Sequence, residues 1–307
     1  MLMYMEEFYN STQIRADISF LKYQIDRNCK TTLIRGTGIS KLIEDCEAYL
    51  SDANISLGRI KAVHILSTLV SSIRLLWFRD IAFCQQFNSL NSGDYEYGKV
   101  NLNEEIFYKD LEFEIFVAAM LARSGLTPNL PNHTTGNDVF CETIEIQCKH
   151  PNVFSENNID KYVRKFHSSL IKNKTYGVLA VAVEDSFDYA KLTAQPSATD
   201  FQKFLEQKRK DGDQILKAVF EKCLVDKARI LGVITTASYY EINQSTTSDF
   251  RFVRDSNSIF CFRPDRKEIK DEIYKNVFKL LYAFNPSPSM LTFEAGKLTS
   301  INNQIIP

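Results

Sequence analysis

The first hundred residues show the spacing of apolar positions that is typical of helices. Apolar side chains recur every three or four residues, with no alternating strands between, over 18–29, 39–50 and 57–87. In the last segment Ile60 and Val63 share a face, and neither Pro nor Gly occurs between Gly58 and the end of the segment at residue 87. The pattern predicts one long helix or two helices joined by a tight kink. Polar, turn-prone residues 88–94 come next, so we expect a boundary there and an all-helical N-terminal domain over residues 1–95.

Beyond residue 101 the pattern alternates between helices and strands. A helix is predicted over 110–124, and Gly125 follows it as a natural C-cap. Extended and helical segments in the order β-β-β-α-β come next, at 127–130, 138–141, 143–149, 159–172 and 176–183. A helix, two strands and a helix are expected after them, at 200–223, 229–237, 258–262 and 267–284. The pattern predicts an α/β domain over residues 101–307 with a mixed central sheet.

Composition sets limits on the class of protein. Hydrophobic residues make up 44% and charged residues 24% of the chain, which is ordinary for a soluble globular protein. The formal net charge is −1, so a nucleic-acid ligand would have to be held by a local basic patch. The N-terminus lacks the pattern of a signal peptide, and no apolar run approaches the roughly 18–20 residues that span a bilayer. We therefore expect a cytoplasmic protein that does not bind a membrane.

The seven cysteines are an odd number, and no two of them form a Cys-x-x-Cys pair. This spacing supports neither a zinc site nor a thioredoxin-like motif. Several cysteines lie in apolar runs, including Cys148 and Cys261, which is typical of buried free thiols. The expected environment is a reducing compartment.

Candidate chemistry lies on the strand predicted over 143–149. Side chains alternate across a strand, so Glu145, Gln147 and Lys149 line one face while the apolar side chains between them line the other. Asp138 begins the preceding strand, and a hairpin turning near residues 142–143 would bring it close to Gln147. Oxygen ligands suit Mg²⁺, and a lysine can position or deprotonate an attacking water. These residues form a chemically coherent set for metal-dependent hydrolysis.

The helix predicted over 110–124 contributes another candidate. It is apolar nearly all round from Phe113 to Ala122, so we expect it to be buried. A carboxylate on a buried helix is costly unless it binds something, which singles out Glu114. Glu112 on the same helix is a rival, and a buried ion pair with a Lys or Arg is an alternative role for Glu114.

Together these segments resemble the Mrr-type branch of the PD-(D/E)XK nuclease superfamily. The residues that carry the resemblance are Phe113-Glu114, Gly125, Gly136-Asn137-Asp138-Val139 and Ile146-Gln147-Cys148-Lys149. In that branch the usual (D/E)-x-K is often Q-x-K, preceded by a glycine-flanked Asp and a helix bearing a Glu. The resemblance covers roughly residues 110–185 and implies a restriction-endonuclease-like core with the order α-β-β-β-α-β.

The resemblance also implies roles for the site residues. Asp138 would be the principal ligand of Mg²⁺ or Mn²⁺, with Gln147 at the second ligand position. Lys149 would serve the attacking water, and Glu114 would reach the metal directly or through water. Gln147 carries no charge, so Glu145 is a candidate extra acid. The substrate implied is nucleic acid, DNA favoured over RNA, and the implied setting is restriction or phage defence.

Basic residues that follow the motif are candidates for contact with phosphates. The helix predicted over 159–172 carries Lys161, Arg164 and Lys165, and His150 directly follows the candidate strand. An ordinary solvated helix face is the alternative.

Two other functions stay open at this point. The fold could have lost its chemistry and serve as a binding or assembly module, which the uncharged Gln147 and the net charge favour. The N-terminal helices could bind a partner protein or form a homo-oligomer, with the nuclease as their effector.

Overall fold

The computed structural model describes residues 5–36, 38–51, 57–92, 108–131, 138–151, 154–183, 214, 216–242, 250–294 and 297–300. The chain divides into two compact packing units. The helical unit comprises Phe8–Thr134 and Ser245–Phe250, and the sheet unit comprises Met1–Glu7, Thr135–Gln244 and Arg251–Pro307. Helices and one mixed sheet together confirm the predicted mixed α/β class.

The helical unit is built from five α-helices among its described residues. They are α1 (Ser11–Tyr23), which continues as a π-helical turn over Gln24–Asn28, α2 (Gly38–Ser51), α3 (Leu57–Phe78), α4 (Cys84–Ser92) and α5 (Tyr108–Arg123). Asn10 caps α1 by accepting a 2.9 Å hydrogen bond from the backbone N–H of Gln13. Helix α3 packs against α1, α2 and α5, and α4 packs against α2 and α5. Gly125, at φ +85°, ends α5 as expected.

The predicted segment 57–87 forms two helices, the second of the two alternatives. Helix α3 ends at Phe78, and Asp80 has a left-handed φ of 56° before α4 begins. The prediction of a polar turn over residues 88–94 is wrong for residues 88–92, because they form the end of α4. Asn91 is 2% exposed, and its amide nitrogen donates a 2.9 Å hydrogen bond to Thr32 O inside the unit. The rest of the expected boundary lies outside the described residues.

The structure differs in two ways from the predicted division into a purely helical first domain and an independent second domain. Strand β1 (Met5–Tyr9) pairs with β6 (Phe250–Phe262), although the sequence pattern predicted no strand in the first hundred residues. Helix α5, placed by the sequence in a domain over 101–307, packs with α3 and α4 in the helical unit.

One pair of cysteines is joined, contrary to the expectation of free thiols. Cys29 and Cys84 form a disulfide with a Cα–Cα distance of 5.2 Å that connects the end of the π-helical turn to the start of α4. The other five cysteines are free and buried, as expected, namely Cys46, Cys141, Cys148, Cys223 and Cys261. The inference from free thiols to a reducing compartment therefore does not extend to Cys29 and Cys84.

The sheet has eight strands among the described residues. In chain order after β1 they are β2 (Val139–Cys141), β3 (Ile144–Lys149), β4 (Tyr176–Ala182), β5 (Ile230–Ile242), β6, β7 (Ser289–Glu294) and β8 (Lys297–Ser300). They lie in the order β2-β3-β4-β5-β6-β7-β8, with β1 paired to β6. The β2–β3 and β7–β8 pairs are antiparallel, whereas β3–β4, β4–β5 and β6–β7 are parallel.

Helices cover both faces of this sheet. Helix α6 (Glu156–Asn173) and helix α7 (residues 216–224) pack on one face, and α8 (Asp271–Tyr282) packs against β3, β4 and β5. Gly177 lets α6 approach closely, because a Cβ there would lie 2.4 Å from Phe166 Cζ. Leu281 of α8 packs beside Gly232 on the other face. Apolar side chains of β4 and β5 are buried on both sides, as is usual for parallel strands.

Most predicted elements of the sheet unit lie where the sequence placed them. Strands β2, β3 and β4 and helix α6 match the predictions within a few residues, and β5 and β6 extend further than expected. The strand predicted over 127–130 is reduced to a single bridge residue, Asn129. Strands β7 and β8 were not predicted, and residues 200–213 and 215 of the expected helix over 200–223 lie outside the described residues. No helix within the described ranges is long and apolar enough to cross a bilayer.

Candidate active site

The candidate site is organised by the β2–β3 hairpin. Val139 pairs with Ile146 and Cys141 with Ile144, and a two-residue turn at Glu142 and Thr143 joins the strands. Both turn residues have positive φ, 50° and 71°, which is the requirement of the type I′ turn that suits the twist of a hairpin. The turn lies where the sequence predicted it.

Helix α8 holds this turn from the side. Asn276 Nδ2 donates a 2.9 Å hydrogen bond to the carbonyl oxygen of Glu142. The hairpin is therefore anchored to the sheet unit at its turn as well as along β3.

Asp138, at the entry to β2, is the centre of the site. Its Oδ2 accepts hydrogen bonds from Gln147 Nε2 and, at 2.7 Å, from the backbone N–H of Cys148. Lys149 Nζ lies 3.9 Å from the same oxygen. The structure thus brings together three of the residues that the sequence singled out.

The three side chains stand at the carboxyl end of β3. The parallel pairing of β3, β4 and β5 puts their carboxyl ends at one edge of the sheet, which is where open α/β sheets bind ligands. The Asp138 side chain is 13% exposed and that of Lys149 is 23% exposed. Their charges are thus partly withdrawn from water, so their attraction is screened less than that of a surface pair. A ligand can still reach both.

Glu145 precedes these residues on the same face of β3 but is engaged elsewhere. It is 2% exposed, and its carboxylate accepts hydrogen bonds from Asn173 Nδ2, at 3.2 Å and 3.4 Å to its two oxygens, and from Thr175 Oγ1. These donors lie at the end of α6 and just before β4. These hydrogen bonds satisfy the buried carboxylate of Glu145 and attach the end of α6 to β3.

Glu114 lies on α5 in the helical unit. It is 2% exposed, and its rival Glu112 is 7% exposed, so both carboxylates are buried and burial does not distinguish them. Every residue from Leu111 to Ala122 is buried, as the apolar pattern predicted. The sheet unit by itself contributes Asp138, Gln147 and Lys149, and a role for Glu114 in metal binding stays a prediction.

The basic residues of α6 face solvent. Lys161, Arg164 and Lys165 are exposed on the side opposite the residues that pack on the sheet. Arg164 forms an ion pair with Asp160, which lowers the pKa of that carboxyl group and raises the pKa of the guanidinium. His150 directly follows β3 and is half-buried. Phosphate contacts by these residues stay predictions.

The donor set at Asp138 is compatible with a magnesium ion. Mg²⁺ is commonly held by one or two carboxylates together with substrate phosphates and water, so one carboxylate and the amide oxygen of Gln147 are a suitable start. Gln147 uses its amide nitrogen toward Asp138, which leaves Oε1 as the atom for a cation. In the part of the chain that the structure describes, no group of three or more His, Cys, Asp or Glu side chains could hold a metal. A metal would therefore depend on this small donor set and on the substrate.

Two contributors to the site were not found by reading side chains. The backbone N–H of Cys148 fixes Asp138, and Asn276 fixes the turn from 134 residues further along the chain. The first is a main-chain group that residue identity does not encode. The second depends on tertiary packing that a local pattern cannot show.

In comparisons with known proteins, no family model, no curated protein and no solved structure matches the chain. Its function is therefore inferred from its own residues and their geometry.

Proposed function

We propose that this protein is a metal-dependent nuclease that hydrolyses phosphodiester bonds, with DNA favoured over RNA as the substrate. The observation that carries the proposal is the convergence of Asp138, Gln147 and Lys149 at the carboxyl end of β3. An acid, an amide oxygen and an ammonium group around one point can supply metal ligands and a group that acts on water. The resemblance to Mrr-type nucleases supports the same assignment and suggests a role in restriction or phage defence.

Each residue has a distinct task in this proposal. Asp138 supplies the negative charge that holds a divalent cation, and Gln147 offers a neutral oxygen beside it. A bound Mg²⁺ or Mn²⁺ would stabilise negative charge on the phosphate by acting as a Lewis acid. Lys149 would orient a water molecule, accept its proton when neutral, or hold a phosphate oxygen when protonated.

A plasmid digestion tests the proposal. The full-length chain is incubated with plasmid DNA and Mg²⁺ or Mn²⁺, with and without EDTA, beside Asp138→Ala and Lys149→Ala. We expect cleavage that EDTA abolishes and that each variant lowers by about a hundredfold or more. Lys172→Ala, which removes an exposed lysine of α6, is the matched control. Undiminished cleavage in EDTA or by Lys149→Ala would rule out this mechanism.

A binding or assembly module without activity is the second candidate. It is favoured by the fact that Asp138 Oδ2 already accepts hydrogen bonds from Gln147 and Cys148, so the carboxylate has a structural role in the hairpin. In that case nucleic acid or a partner protein would bind without cleavage. A Mg²⁺ titration followed by thermal unfolding separates the two candidates, because a ligand that binds the folded state raises Tm.

A further inference from the structure

One cross-strand pair of the β2–β3 hairpin has an unusual distribution of burial. Phe140 of β2 lies opposite Glu145 of β3 in the antiparallel register. The glutamate is 2% exposed, whereas the phenylalanine is 36% exposed. The hydrophobic effect alone favours the reverse, because burial of a ring is favourable and burial of a charge is costly. Hydrogen bonds from Asn173 and Thr175 account for the buried carboxylate. The exposed ring needs a separate explanation.

The Phe140 side chain is on the same face of the hairpin as the candidate site. Side chains two residues apart along a strand point to the same face, so Phe140 follows Asp138 on that face. Gln147 and Glu145 share this face on the neighbouring strand, and Gln147 Nε2 donates to Asp138 Oδ2. The Cα atoms of residues 138 and 140 are about 6.7 Å apart along an extended chain. The exposed ring is therefore a direct neighbour of the groups that the proposed function assigns to the metal and the phosphate.

The backbone that carries the ring is anchored. Val139 and Cys141, which flank Phe140, are 0% and 1% exposed and pack into the core on the opposite face. Each of them pairs with a buried isoleucine of β3. In the strand order of the described residues, β2 is the outermost strand beside β3. An aromatic side chain presented from a fixed strand loses little conformational entropy when a ligand binds it.

A nucleobase is the part of a nucleic acid that suits this ring. Bases stack on aromatic side chains, and the contact tolerates any sequence because every base has a π-face. A phosphate gains little from contact with a phenyl ring, since it is charged and strongly hydrated. Bases inside a duplex are already stacked on their neighbours, so the ring favours a single strand.

We propose that Phe140 stacks against a base of the nucleic-acid strand whose phosphate is bound at Asp138 and Lys149, and thereby positions that strand for cleavage. This inference rests on the proposed nuclease function and deepens it. It names single-stranded nucleic acid as the preferred substrate and Phe140 as a residue that binds it. Phe140 and Asp138 are close enough for neighbouring parts of one nucleic-acid strand to contact both.

Equilibrium binding in EDTA tests the stacking without cleavage. Fluorescence anisotropy measures the affinity of the full-length protein for labelled oligothymidylate and for an abasic strand of equal length, which keeps the phosphates and lacks the bases. We expect Phe140→Ala to weaken binding of oligothymidylate about tenfold and to leave binding of the abasic strand unchanged. Tyr282→Ala removes an exposed aromatic side chain from α8, on the other face of the sheet, and should change neither affinity.

Two substitutions separate stacking from a structural role beside Glu145. Phe140→Leu keeps an apolar side chain opposite Glu145 but has no aromatic ring, so it should bind oligothymidylate as weakly as Phe140→Ala. Phe140→Trp keeps an aromatic ring and should retain the wild-type affinity. Wild-type affinity in Phe140→Leu, or an equal loss of affinity for both strands in Phe140→Ala, would show that the ring only supports the hairpin.

A tryptophan at position 140 reports on the stacking directly. Trp77 is the single tryptophan of the chain, so Trp77→Phe provides a background without tryptophan. In this background we expect oligothymidylate to quench the fluorescence of Phe140→Trp and the abasic strand to leave it unchanged. Tyr282→Trp in the same background is the control and should respond to neither strand. A Phe140→Trp that responds no more than Tyr282→Trp would overturn the proposal.

The plasmid assay reports separately on the nuclease function. Cleavage by the wild type, together with oligothymidylate binding that Phe140→Ala leaves unchanged, would overturn the role of Phe140 alone. Base-dependent binding without any cleavage would overturn the nuclease function but not the stacking contact. A wild type that binds no oligothymidylate would overturn the stacking contact as well.

Discussion

The backbone N–H of Cys148 donates a 2.7 Å hydrogen bond to Oδ2 of Asp138 across the β2–β3 hairpin. The side chain of Cys148 is fully buried in the core. A hydrogen bond from a main-chain donor to a carboxylate is stronger than one between neutral groups, and it does not depend on which side chain stands at position 148. Asp138 should therefore stay in place when Lys149 is changed, and a substitution at that position reports on chemistry more than on geometry.

We expect Gln147→Glu to make the protein depend on divalent metal for stability as well as for activity. The substitution replaces a donor to Asp138 with a second carboxylate, and two like charges side by side destabilise the fold when no cation is bound. The loss of unfolding free energy in EDTA should be about 1–3 kcal/mol. Adding Mg²⁺ should restore the lost unfolding free energy. Half-maximal cleavage should also require a lower Mg²⁺ concentration than in the wild type. Urea unfolding with and without Mg²⁺ measures the first effect, and a metal titration of cleavage measures the second.

The matched control for that substitution is Gln147→Ala. It removes the hydrogen bond without adding charge, so it should weaken the hairpin without any metal-dependent recovery. An active Gln147→Ala with an unchanged metal curve, together with a Gln147→Glu that behaves like the wild type in EDTA, would remove Gln147 from the site.

A fragment that starts at residue 101 should be poorly soluble. It retains α5 but lacks α3 and α4, and so it exposes the apolar side chains that α5 packs against them. A fragment over residues 8–134 keeps α5 with these partners, and we expect it to be helical and to melt cooperatively. Size-exclusion chromatography and circular dichroism compare the two fragments. A monodisperse, folded 101–307 fragment would show that α5 does not need the helical unit.

The Cys29–Cys84 disulfide should stabilise the helical unit. It closes a loop with a sequence separation of 55 residues, for which the chain-entropy model gives about 4 kcal/mol as an upper value. The double substitution Cys29→Ser/Cys84→Ser should lower Tm, and dithiothreitol should lower the Tm of the wild type by a similar amount without affecting the double variant. Cys46→Ala changes a free buried cysteine and should keep the sensitivity to dithiothreitol. An equal Tm of the wild type with and without reductant would show that the bond contributes nothing.

Acid should destabilise the sheet unit through His167. Burial, together with the cations Lys227, Arg263 and Arg229, lowers the pKa of this histidine, and the opposing charge of Asp226 only partly offsets the shift. The unfolded chain then binds the proton more readily than the folded chain once the pH falls below about 6.5, so stability decreases from there down to the lowered pKa. His167→Gln should flatten this part of the profile. Urea unfolding between about pH 7.5 and pH 5 measures it, and parallel profiles for both proteins would contradict the assignment.

The hairpin and its site residues could be predicted because their pattern is local. Alternation over 143–149 fixes which side chains share a face, and a short turn then places Asp138 beside Gln147. Helix α6 could be predicted for a similar reason, since Ile159, Val163, Phe166 and Leu170 recur at helical spacing.

Features formed by distant segments could not be predicted in this way. Strand β1 pairs with β6 across most of the chain, and Cys29 finds Cys84 only after the helices between them have packed. The end of α4 looked like a turn because of its Asn and Ser residues, yet the buried Leu90 and Asn91 hold it as a helix. Tertiary packing overrides local propensity at such places.

The two-residue turn at Glu142 and Thr143 makes this part of the chain intolerant of changes in length. Strand residues alternate between faces with a period of two, so one inserted or deleted residue in β3 would present Ile146 and Cys148 where Gln147 and Lys149 now stand. Replacement of side chains is a mild perturbation by comparison, because the main-chain frame survives it. Among descendants of this sequence that keep the site, substitutions should therefore accumulate in the hairpin while its residue count stays constant.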